Sequence, residues 1–221
     1  MYNLIFLITI AITLASQAYI SNTYQKTKKI ASKSSLSGRE VARRILDANG
    51  LQNIQIEKVA GELSDHYDPA NKKVCLSEDI YENTSLASIS VASHECGHAL
   101  QDKEGFAFLR IRRSMVPLVN FASRAGYFII LISVVMSLMK LFWIGILLEA
   151  VILLFQIVTL PVEFDASRRA LNQISDLKMV EKEEHQNCKK MLTAAAFTYV
   201  AAVATAILEV LRLLMIARRN D

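Results

Sequence analysis

Residues 90–101 read SVASHECGHALQ, and the pentapeptide HECGH within them sets His94 and His98 four positions apart with Glu95 beside the first. On a helix, positions i and i+4 stack on one face about one turn apart. The two imidazoles can therefore present nitrogens to a single ion, with Glu95 on the flank where water would sit. Two nitrogen ligands and a carboxylate base from one turn are the parts of zinc-dependent hydrolysis. The chain has four histidines and two of them are here. Small neighbours Ala92, Ser93, Gly97 and Ala99 let such a helix pack closely while leaving room at the site. The bland alternative is a buried helix that happens to carry two histidines; the rarity of H-E-x-x-H in a chain of this length favours the metal.

What must position that turn is an unusually apolar chain. It has 221 residues, 52% of them hydrophobic, and the excess is concentrated in runs. Leu4 to Ile20 is one, Tyr127 to Val162 is a second broken only by Lys140 and Glu149, and Leu192 to Ile216 is a third. About 20 apolar residues cross roughly 30 Å of hydrocarbon, so the middle run is too long for one span and reads as a helical hairpin. Lys140, Trp143 and Gly145 in MKLFWIG suit its turn. The first arm must then reach back toward Val116, which carries Arg124 into the span. The expectation is an integral membrane protein, mainly α, of four transmembrane helices: an anchor over 1–20, a soluble segment over 21–115, the hairpin over 116–162, a second soluble segment over 163–191, and a last span with a short tail over 192–221.

Charge orients these spans. Small residues at Ser16 and Ala18 would suit a signal-peptide cleavage site. However, no basic residue precedes the first run, and Lys26, Lys28, Lys29, Lys33, Arg39, Arg43 and Arg44 follow it, as for a retained anchor. Basic residues in both soluble segments place them, and the candidate active site, on the cytoplasmic side of a bacterial cell membrane. Only the ARRND tail argues the other way. Cys75, Cys96 and Cys188 are an odd number without close pairing, in keeping with a reducing compartment, and Cys96 reads as a small apolar filler. The net charge of +4 is carried beside the spans, as at Arg110, Arg112 and Arg113, so it points to the lipid bilayer and not to nucleic acid. Glu209 and Arg212 lie three apart in an apolar run and can pair; Glu149 and Arg124 can pair or snorkel.

Within 21–115, SGREVARRILDANG has a helix start at Ser37 and a stop at Asn49-Gly50. NIQIEKV, GELSDHYD and NKKVCLS then suggest a small antiparallel sheet with a DPAN turn, followed by a helix from about Leu86 to Asp102 bearing the histidines. KKVCLS is a candidate edge strand that could take an extended peptide by strand addition.

GELSDHYDP, VCLSEDIY, VASHECGHALQ and LPVEFDAS, in this order between the first and last spans, resemble the YugP-like family of membrane zinc peptidases over almost the whole chain. The resemblance implies a zincin-like α+β catalytic segment, Zn2+ as cofactor, a peptide or protein substrate that could itself be a membrane protein, and Glu163 as third metal ligand. Chain topology gives that ligand independent support. Catalytic zinc sites use three protein ligands. The hairpin returns the chain to the side of His94 at Pro161, and Glu163 is the first acidic residue to emerge. Asp165 and Asp176 compete, although Asp165 would point about 200° around a helix from Glu163. Pro161 suits either a kink or the first turn of a new helix.

The reaction these parts would run is peptide-bond hydrolysis, with Glu95 as general base taking the proton of the attacking water. His66, Tyr67, His185, Arg168 and Arg169 are the residues from which a further oxyanion donor would come, each of them better explained as surface or sheet. The alternative function is a membrane scaffold or carrier that keeps a metal site without turnover.

Overall fold

The computed structural model describes Tyr2–Asn220; the end of the basic tail, with the side chains of Arg219 and Asn220 and all of Asp221, lies outside the described residues. The elements run α1 (Tyr2–Lys28), α2 (Gly38–Ala48), β1 (Gln55–Val59), β2 (His66–Asp68), β3 (Lys73–Ser77), α3 (Glu78–Glu82), α4 (Leu86–Lys103), α5 (Ala107–Val135), α6 (Met139–Asp176) and α7 (Lys182–Asn220). The protein is mostly helical with one small sheet, and four of these helices, α1, α5, α6 and α7, are long and apolar enough to cross a membrane. The chain divides into two compact units.

The first unit holds residues 1–18, 107–161 and 197–221. All its described backbone is helical but for the hairpin turn, which suits hydrocarbon, where each amide must find its partner within its own segment. Large apolar side chains such as Leu131, Val135, Leu147 and Leu154 are exposed along these helices, a surface that lipid would cover. Phe142, Ile146, Leu213 and Ala217 form the buried contact inside the unit. Glu209 accepts from Arg212 at 2.9 Å, as their spacing suggests. The hairpin turn comes earlier than MKLFWIG: residues 136–138 make it, Ser137 taking a left-handed φ of 56°, while Lys140, Trp143 and Gly145 already belong to α6. Gly145 serves packing instead of turning, because a Cβ there would collide with the Ile130 side chain of α5.

Pro161 does not restart a helix; α6 runs through it, so Glu163 sits inside a long helix and not near a helix start. Proline brings no amide donor, but the apolar turns before it keep the helix because in hydrocarbon their backbone groups have no other partner.

The second unit, residues 19–106 and 162–196, surrounds α4. Ser37 and Glu40 form a capping box at α2, the serine N–H donating to the glutamate at 2.8 Å and the Glu40 amide donating back to the serine oxygen at 3.3 Å. The helix buries Val41, Ala42, Ile45 and Leu46 and stops at Gly50, whose φ is +68°. The sheet is mixed, not antiparallel. Its order is β1-β3-β2, with β1 parallel and β2 antiparallel to β3. KVCLS is thus the central strand and offers no edge. The reason is burial: Val74, Cys75, Leu76 and Ser77 are buried whereas β1 is mostly exposed, so the apolar strand takes the middle, where neighbours satisfy both of its edges. The DPAN turn joins β2 to β3, Asp68 accepting from the amides of Ala70 at 2.8 Å and Asn71 at 3.1 Å.

Cys75, Cys96 and Cys188 are all buried and unpaired. Burial raises the Cys96 thiol and pushes Cys188 up to about 11, so neither offers thiolate at neutral pH. Native protein in detergent at pH 8 should show no fast-reacting thiol toward Ellman's reagent, and all three should react after denaturation. A rapid native reaction at Cys96 would contradict its role as filler.

Candidate metal centre

Helix α4 begins at Ser85, whose hydroxyl accepts from the Ser88 amide at 3.1 Å, and it is buried along nearly its whole length. His94 and His98 stack one turn apart on it, ring centroids 4.8 Å apart and edge to face. The other wall is α6. The two helices touch backbone to side at Gly97, where a Cβ would lie 2.5 Å from the carbonyl oxygen of Ala166. Only glycine permits that approach. It brings Glu163, one turn before Ala166, opposite the histidines.

Glu163 Oε2 lies 3.2 Å from His94 Nε2 and 3.6 Å from His98 Nε2, and one ligand atom from each of the three residues falls within 4.8 Å of the others. Zinc bonds to nitrogen and oxygen of about 2.0–2.2 Å in a tetrahedron require ligand atoms roughly 3.3–3.6 Å apart. Both glutamate–histidine distances suit zinc, as does the N, N, O donor set. Burial works to raise Glu163, but the two imidazoles beside it hold its carboxyl well below the usual carboxylate range. Burial alone would lower His98, and the Glu163 carboxylate more than offsets this and raises it. Both directions describe a pocket that calls for positive charge, which protons or a divalent ion can supply.

Glu95 is 7% exposed on the neighbouring face of α4, and its carboxyl is raised by burial against the lowering influence of His94 and His98. Asp165 points away from the triad, accepting from Gln101 Nε2 at 3.0 Å and pairing with Arg168 and Arg169. Asp176, at the end of α6, is not in the triad. His66 Nδ1 meets the Ser64 carbonyl at 2.8 Å, Tyr67 donates to Asp102 at 2.8 Å, and His185 faces the Leu171 carbonyl at 3.4 Å. Arg169 also pairs with Glu104 at 2.8 Å. Two contacts escape sequence reading. Ser167 Oγ lies 3.2 Å from His94 Nδ1, and Gln101 Oε1 lies 3.0 Å from His98 Nδ1. The i+3 spacing of Gln101 from His98 was a visible signal; nothing local marks Ser167.

Residues 2–218 match a protein family described as "Putative neutral zinc metallopeptidase". The chain belongs to this zinc metallopeptidase family. It is also 42% identical over 201 residues to the "Putative membrane protease YugP" of Bacillus subtilis (strain 168), an alignment covering 91% of this chain and 89% of that protein. No solved structure matches the chain. In this zinc metallopeptidase family member the name implies zinc, and His94, His98 and Glu163 are the group that could hold it.

Gly97→Ala should separate α4 from α6, since the atoms it meets are Ala166 backbone and cannot rotate away. A loss of about 1–3 kcal/mol is expected from the overpacking, together with reduced zinc content. Thermal unfolding and metal analysis in one detergent check this; wild-type values for both would show that the contact is not limiting.

Proposed function

We propose that this protein is a membrane-bound zinc-dependent endopeptidase that hydrolyses peptide bonds with Glu95 as general base. The observation that carries the reading is the convergence of His94, His98 and Glu163 within 4.8 Å beside Glu95. When bound, zinc would act as a Lewis acid on water and on the substrate carbonyl. His94 and His98 offer Nε2 to the ion and Glu163 offers Oε2. Glu95 takes the proton of the attacking water and hands it to the leaving amine; burial, by raising its proton affinity, suits it to both transfers. Since β3 is central, strand addition of an extended peptide moves to β2, the edge strand packed with β3 against α4.

Glu95→Gln keeps the shape of the side chain but cannot accept the proton. It should retain wild-type zinc and lose about 10²–10⁴-fold in activity on an unfolded protein substrate. Activity within a few-fold of wild type would leave the non-catalytic metal scaffold as the better reading.

The four apolar helices support a bilayer-embedded protein, and the basic residues around Lys28 and Lys182 support a cytoplasmic active site. Single cysteines placed at Lys28 and Lys182 in a cysteine-free background should be shielded in intact bacteria from a membrane-impermeant maleimide, and one at Lys140 should be labelled. The reverse pattern would put the site outside the cytoplasm.

A further inference from the structure

The amide of Gln101 is fully buried and makes contacts on all sides. Its Nε2 donates to the Val162 carbonyl at 2.7 Å and to Asp165 Oδ2 at 3.0 Å, and its Oε1 faces His98 Nδ1 at 3.0 Å. A side-chain amide has donors on nitrogen only and an acceptor on oxygen only. Val162 O can only accept, and Asp165, paired with Arg168 and with Arg169 at 2.5 Å, presents carboxylate oxygens that accept as well. Turning the amide over would set its oxygen against two buried acceptors and leave both without their donor. The amide therefore has one orientation. Its oxygen must receive a hydrogen from His98 Nδ1, which in the neutral, metal-binding ring leaves the lone pair on Nε2, the nitrogen that faces Glu163.

We propose that Gln101 is the positioning residue of the metal centre, fixing the tautomer and ring orientation of His98 while holding, through the Val162 carbonyl, the backbone that carries Glu163. One side chain thus sets two of the three ligands from opposite helices. His94 is held differently: the Ser167 hydroxyl beside its Nδ1 can donate or accept, so it orients the ring without dictating the tautomer. Asp165 acts through Gln101, anchored in turn by Arg169, whose 2.8 Å pair with Glu104 returns the chain of contacts to the end of α4. The inference rests on the zinc-site reading above and asks which nitrogen of His98 serves it.

The test uses the full chain in detergent and needs no peptidase assay. In zinc-loaded wild type carrying ¹⁵N-histidine, the His98 signals, assigned by loss in His98→Asn, should report metal on Nε2 and a proton on Nδ1; metal on Nδ1 overturns the proposal. Zinc affinity is then measured by competition with a fluorescent chelator. Gln101→Leu removes the acceptor and should weaken zinc by about 10–100-fold and alter the visible spectrum of the cobalt-substituted protein. The exchange Gln101→Glu with Asp165→Asn keeps an acceptor toward His98 Nδ1 but sets an oxygen against the Val162 carbonyl, so it should keep metal on His98 Nε2 while recovering only part of the affinity lost in Gln101→Leu. Leucine binding zinc within a few-fold of wild type, or an exchange variant with metal on Nδ1, overturns the role. If Gln101→Leu does not fold, the wild-type tautomer and the exchange variant decide the matter. Wild type that takes up no zinc would remove the metal reading and this inference together; zinc uptake with the wrong tautomer removes only this one.

Discussion

The centre depends on a missing side chain. At Gly97 the backbone of α6 occupies the space a Cβ would fill, with the Ala166 carbonyl oxygen 2.5 Å from that position. Two helices are thereby brought closer than ordinary side chains allow, and close approach is one of the few uses that outweigh the helical cost of glycine, about 1 kcal/mol against alanine. The gain is rigidity. The ligands sit on helices and not on loops, and a carboxylate from one helix meets the two imidazoles of the other at 3.2 and 3.6 Å.

Burial explains the polar contacts around the triad. Glu163 is 2% exposed, Glu95 7% and His98 8%, so each must be compensated or left at a cost of several kcal/mol. Glu163 is compensated by imidazoles, His98 by the Gln101 amide, and that amide by Val162 and Asp165. The low local dielectric that makes an unmet group costly also strengthens each contact that is made. Surface ion pairs are of another order: Lys33 with Glu181, both more than half exposed, contributes little and is screened by salt. The polar energy that matters to function lies in the network between α4 and α6.

The apolar helices impose a different constraint. His94 and Glu163 are 69 residues apart in the chain, and most of that separation is α5 and the first part of α6, whose backbones satisfy themselves and whose exposed faces are apolar. The excursion is regular structure, so returning Glu163 to the histidines does not require ordering a long flexible loop. Glu209 and Arg212 show the same economy, neutralising each other three residues apart on one helix.

Much of this was legible in the sequence because it is local. The i, i+4 spacing of His94 and His98, the Ser37 capping box, the lengths of the apolar runs and the DPAN turn depend on contiguous residues and on period, and they appear where the pattern places them. Glu163 was reachable because chain topology and family resemblance left few acidic residues to choose from. The tertiary structure alone decided the rest. Strand order depends on which strand the core buries, so KVCLS moved from edge to centre. Pro161 lies inside α6 because the apolar turns before it had no alternative partner for their backbone. Which way Glu163, Asp165 and Ser167 face, and that Gln101 answers His98, follow from the rotation and separation of two packed helices. Those quantities are set at Gly97, by a distance between backbones that no spacing within either helix encodes.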